Sequence, residues 1–91
     1  MSDSRYVIGG VELHNPFLLA PLAGVTDAVM RMLCTEQGAA MTCTEMVSAK
    51  GLFYRDRKTP ALLYIPEDAG PTAVQIFGSE PEVMAEAACM L

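Results

Sequence analysis

Three places in the chain carry residue types that could do chemistry. The first is Ala20-Pro21-Leu22-Ala23-Gly24-Val25-Thr26-Asp27, entered directly from the apolar run Phe17-Leu18-Leu19. Its chemistry is that of a bare main chain. Pro21 fixes its own φ and offers no N–H, so a strand cannot simply run on through it. Ala23 and Gly24 carry almost no side chain, so a large planar ligand can approach the peptide units. Thr26 or Asp27 then caps a following helix. An ordinary strand-to-helix connection has the same outline. The second place is Glu45, just past the run Met41-Thr42-Cys43-Thr44, which either faces a pocket at a strand end or caps the turn that follows. The third is Gln75, an isolated polar residue within Ala73-Val74-Gln75-Ile76-Phe77. It either ends a strand towards water or points inward, and its isolation favours the inward reading.

These residues need elements to hold them. Arg5 to Ile8, Gly9-Gly10 and Val11 to Leu13 read as a hairpin with a two-glycine turn. Asn15-Pro16 is a turn, and Phe17 to Ala20 is a short strand without polar alternation, as suits a strand buried on both faces. Val25, Val29, Met32 and Leu33 recur at helical spacing over Thr26 to about Gln37, and Gly38 is placed to end that helix in a left-handed conformation. Met41 to Thr44 is the next strand, and Ser48 to Tyr54 has room for one or two helical turns. Ala61 to Ile65 reads as extended, with Pro66 to Pro71 as its turn. Thr72 to Phe77 is a third core strand. Ser79, Pro81 and Glu82 announce a helix start with a capping box.

Strand, helix, strand, loop, strand, helix is the rhythm of βα repeats and hence of an α/β fold with a parallel sheet. Three parallel strands leave open edges and apolar faces. The last helix stops at Cys89-Met90-Leu91 without a glycine cap or a basic last turn. These features fit the N-terminal third of a larger unit.

Composition narrows the classes. Ninety-one residues suffice for one modest core, and 52% of them are hydrophobic. No run approaches the roughly 20 apolar residues of a membrane span. Met1 to Arg5 lacks a basic start followed by an apolar stretch, so a cytoplasmic protein is expected. Cys34, Cys43 and Cys89 are an odd set with no C-x-x-C pair, read as small hydrophobes in a reducing compartment rather than as disulfide or metal ligands. A formal net charge of −5 argues against the segment acting alone as a nucleic-acid surface. Yet Lys50, Arg55, Arg57 and Lys58, four of the six basic residues, fall within nine positions, with Phe53 and Tyr54 among them. Such a loop is either a solvated face or a contact for phosphates.

Asn15 to Asp27, Thr44-Glu45-Met46-Val47-Ser48-Ala49-Lys50-Gly51-Leu52 and Val74-Gln75-Ile76-Phe77-Gly78 together resemble three motifs of the bacterial tRNA-dihydrouridine synthase family, in its order and spacing. The resemblance covers residues 6–91. It implies that residues 1–91 are the N-terminal part of an FMN-binding TIM (β/α)8 barrel, preceded by the short β-hairpin, with a helical tRNA-binding domain further on. It implies NADPH-dependent reduction of the C5–C6 bond of tRNA uridines, at the C-terminal ends of the barrel strands. By motif match, Pro21, Leu22 and Ala23 would line the flavin, and Gln75 would hydrogen-bond it. Leu22 stands where the family usually has Met, a swap that roughly conserves volume. The family's proton donor is a cysteine in an Asn-x-Gly-Cys-Pro motif on the next strand, which would begin after residue 91. Cys89, in the helical pattern Ala87-Ala88-Cys89-Met90, is not a substitute, so no catalytic residue is assigned. His14, after the hairpin, is read as structural. Another FMN-dependent barrel reductase and a non-catalytic interaction module are the competing readings.

Overall fold

Gly9 and Gly10 both take positive φ, 54° and 84°, and reverse the chain between β1 (Val7–Ile8) and β2 (Val11–Glu12). The strands pair antiparallel with Ile8 opposite Val11, as a two-residue turn of this hand requires. The computed structural model describes residues 6–91, so Arg5, expected in the first strand, lies outside the described residues. The Leu13 N–H donates to the Tyr6 carbonyl at 2.7 Å, and the Leu13 side chain is buried with Ala40 and Met41. The hairpin therefore packs where the second sheet strand begins. Exposed His14 belongs to this end of the fold.

Three strands run parallel in the order β3 (Leu18–Leu19), β4 (Met41–Cys43), β6 (Thr72–Ala73), with Leu18 opposite Met41 and Thr42 opposite Thr72. The second and third strands then resume as β5 (Val47–Ser48) and β7 (Ile76–Phe77), again parallel. Residues 44–46 intervene on one strand and residues 74–75 on the other, so the second strand carries one extra residue, a bulge. Fully buried Thr44 repairs the ladder there. Its N–H donates to Ala73 O at 2.9 Å, and its Oγ1 accepts the Gln75 N–H at 3.2 Å.

Helix α1 spans Ala28–Glu36, and Asp27 is its cap, accepting the Met30 N–H at 2.9 Å through Oδ1. The chain leaves it through Gly38 at φ 112°. Of the apolar stripe that predicts this helix, Val25, Val29 and Leu33 stay in the open and Met32 is half-buried, while Arg31 is the helix's buried residue. Nor is β3 buried on both faces, since Phe17 and Leu18 are exposed: β3 is an edge strand, with no neighbour on its outer side among the described residues.

Helix α2 (Ala49–Phe53) starts at the Ser48 cap. Helix α3 (Thr59–Leu62) takes Ala61 and Leu62 out of the extended segment expected over Ala61 to Ile65, and Leu63 to Ile65 form no strand. Pro60 suits a first helical turn, and Leu62 with the cap residue Leu63 packs, partly buried, against Val47, Ala49, Leu52 and Ala87. Helix α4 (Pro81–Cys89) has Glu80 at its cap position with no side-chain bond, so the expected Ser79–Glu82 capping box does not form. The helix starts one residue later than Ser79 would require, at Pro81. Val83, Met84 and Ala87 of α4 then close the main core over Val74 and Ile76. A Cβ on Gly78 would come within 2.7 Å of the Met84 sulfur and 3.2 Å of the Ala49 Cβ, so α4 packs closely over this point of the strand and a larger residue would make the Met84 side chain shift. Cys34 and Cys43 are partly buried and Cys89 is exposed, so Cys89 is not the core hydrophobe expected.

Candidate functional site

Parallel pairing puts the ends of the three strands on one edge, and side chains tie those ends together. After β3 the chain turns at Leu22, whose carbonyl accepts the N–H groups of Val25 and Thr26, both at 2.9 Å. Buried Thr26 grips the same residue from its side chain, accepting the Leu22 N–H at 3.0 Å and donating to the Leu22 carbonyl at 3.2 Å. Pro21 is half-buried, and Leu22, Ala23 and Gly24 are exposed. The Ala23 N–H has no hydrogen bond among the described residues. Gly24 sits at φ 77°, with open space where a Cβ would stand, and its N–H donates to Glu45 Oε1 at 2.5 Å. Glu45 therefore reaches back to the turn before it. Neither sequence-based alternative, pocket-facing or capping the following turn, anticipates that contact.

On the third strand, Val74 and Ile76 both pack into the core. Gln75 lies between them in the short gap separating β6 from β7 and is exposed, so among the described residues its side chain faces away from that core rather than inward as its isolation suggests. Its main chain is fixed by the Thr44 bond and by donation from the Val47 N–H at 2.8 Å, while its amide has no partner among the described residues. The structure thus brings Pro21, Leu22, Ala23 and Gln75 to the same edge. A cavity of about 390 Å³ is lined by Ser48, Lys50, Phe77 and Gly78 among others, and Pro21, Leu22, Ala23 and Gln75 take no part in its lining.

Residues 18–91 match the dihydrouridine synthase (Dus) family. The chain belongs to that family. It is 42% identical over 81 residues to the tRNA-dihydrouridine synthase B of Pasteurella multocida, and 41% and 40% identical over the same length to those of Vibrio parahaemolyticus and Escherichia coli K12. These alignments take in 89% of this chain, which spans about a quarter of the length of each relative (24%, 25% and 25%).

The dihydrouridine synthase match takes in all three strand ends, and it includes a buried cation that the sequence reading passes over. The Arg31 guanidinium lies under the turn, donating from Nη1 to Thr26 O at 2.9 Å and from Nη2 to Tyr64 O at 2.7 Å. It makes no ion pair among the described residues. A lone charge between Asp27 and Glu36, on a helix of Ala, Val, Met, Leu and Cys, is the signal that could have found it. The buried threonines 26 and 44 carry no comparable signal.

The basic cluster divides. Lys50 pairs with Glu80 at 3.0 Å, and that hydrogen bond, with the charge attraction, raises its pKa. Arg55, Arg57 and Lys58 are exposed and unpaired among the described residues. Their loop is shaped locally: Arg55 takes φ 58°, the Asp56 N–H donates to Gly51 O at 2.7 Å, and Asp56 Oδ1 accepts the Lys58 N–H at 2.8 Å. Beside it the Phe53 and Tyr54 rings meet edge to face at 5.0 Å. Cys89 closes α4, roughly 12 Å along the helix from Pro81 at the usual rise per residue.

Proposed function

We propose that this chain is the flavin-facing N-terminal part of a tRNA-dihydrouridine synthase, a (β/α)8-barrel enzyme that reduces the C5–C6 bond of tRNA uridines with FMN and NADPH. Family membership and the names of the relatives support the activity. The observation that carries the site is the shared edge of the parallel strands, which holds both an unpartnered, exposed Gln75 amide and the exposed turn Leu22–Ala23 with its free Ala23 N–H.

The residues present fit a flavin on chemical grounds. The Gln75 amide both donates and accepts, which matches the pyrimidine edge of an isoalloxazine. Proline, a short aliphatic turn and the free Ala23 N–H leave room for a flat ring to lie on the peptide units. Bound FMN would supply the hydride chemistry, and the chain's own residues bind and orient it. A uridine must leave its stack to meet such a site. Arg55, Arg57 and Lys58 are placed in our reading as contacts for tRNA phosphates, with Lys50 engaged by Glu80 instead. Cys89 has no catalytic part. No helix among the described residues is long and apolar enough to cross a membrane, and no three of His, Cys, Asp and Glu gather there as a metal site. We place the protein in the cytoplasm with its substrate.

The test is Gln75→Ala in the full-length protein that carries this segment. Loss of one hydrogen bond should weaken FMN retention by roughly 1 kcal/mol, about fivefold, read from visible absorbance on dialysis. Unchanged flavin content would count against the assignment. A flavin enzyme that reduces a free pyrimidine but not tRNA would favour the other barrel reductases.

A further inference from the structure

We propose that Glu45 is a positioning residue: its carboxylate clamps the Gly24 N–H and thereby fixes the Pro21–Ala23 peptide units in the shape a flat ring requires. The inference rests on the flavin reading for its purpose and on the geometry for its mechanics. Gly24 holds a left-handed φ of 77° with nothing packed against the position of a Cβ, so no steric wall keeps it there. The Thr26 hydroxyl secures Leu22 on one side of Ala23. On the other side the Gly24 N–H has a single acceptor, Glu45 Oε1. A hydrogen bond to a carboxylate is roughly twice as strong as a neutral one, which suits a clamp on an exposed turn.

The origin of the clamp is equally local. The extra residue in the second strand falls at 44–46, and Thr44 is locked to both Ala73 O and the Gln75 N–H. Glu45, next to that anchor, is free to lean out of the ladder towards the first strand. One short segment therefore joins all three strand ends, Glu45 to the first and Thr44 to the third. Glu45 makes no ion pair among the described residues, so its charge serves the Gly24 bond rather than a cation.

The experiment uses the full-length protein that carries this segment, with Glu45→Ala and Glu45→Gln variants. Isotope-labelled glycine gives the exchange rate of the Gly24 amide proton without flavin, and titration with FMN gives affinity. In the parent the Gly24 proton should be protected; in Glu45→Ala it should exchange roughly tenfold faster or more, with FMN affinity falling by a similar factor. Glu45→Gln keeps a neutral carbonyl acceptor and should restore part of both, which general loss of stability would not do. Equal exchange of Gly24 in parent and Glu45→Ala overturns the clamp, as does a Gln variant no better than Ala. If Glu45→Ala does not fold, the Gln variant decides: it must keep Gly24 protected. A protected Gly24 in a parent that binds no FMN would sink the flavin reading and leave the clamp standing.

Discussion

The two halves of the sheet are held by different forces. Around β5 and β7 the chain is held by apolar burial: Val47, Ala49, Leu52 and Ala87 are sealed between strands and helices α2 and α4. Around β3 and α1 the large apolar side chains lie open, with Phe17 72% exposed, Val29 67% and Leu33 52%. What orders that half is directional bonding to the backbone, from Thr26, Asp27, Arg31 and Glu45. The candidate site straddles the seam. Its Gln75 belongs to the packed half, and its Pro21–Ala23 turn to the half held by hydrogen bonds. Placement of the turn therefore answers to single polar atoms, whereas placement of Gln75 answers to a whole core.

Substitutions can break this contrast or sharpen it. The largest loss should come from Leu52→Ala in the packed half, about 3 kcal/mol of unfolding free energy in a denaturant titration. Arg31→Met follows. It leaves the Thr26 and Tyr64 carbonyls without their donor, for about 2 kcal/mol after the gain from burying a thioether in place of a cation. If Arg31→Met proved neutral, polar bonding would not be what orders the β3 side. Leu33→Ala, on the open face of α1, should cost no more than about 0.5 kcal/mol; a core-sized loss would mean that face is covered in the full-length protein. The Lys50–Glu80 pair should matter least, since both side chains are exposed. The Lys50 pKa is raised by its partner, so any contribution is present at neutral pH and fades as pH climbs through the raised value. The melting-temperature gap between the parent and Lys50→Met should stay flat around neutrality and close only in strong alkali.

Legibility in the sequence follows the range of the physics. Gly9-Gly10, the Asp27 cap and Gly38 are local conformational choices, and the structure places each where its residue type predicts. Ala61 to Ile65 shows the limit: five apolar residues carry no period that separates strand from helix, and the packing of Leu62 and Leu63 decided for helix at its start. The edge that gathers Pro21 and Gln75 follows from βα rhythm, because parallel strands must end together. The bonds that shape it do not. Arg31 reaches across to Tyr64 and Glu45 back to Gly24, and partners that distant leave no trace in local pattern.

The extra residue between Thr44 and Val47 has a consequence for how this protein can vary. Read as text, Glu45-Met46 resembles a short connector whose length is free to drift. In the folded chain, losing one residue there would erase the bulge and level the two ladders, leaving Val47 opposite Ile76 but removing the slack that lets Glu45 lean back to Gly24. A length change at this point therefore costs the tie between the first and second strand ends, whereas exchange of an exposed side chain such as Met46 leaves it in place.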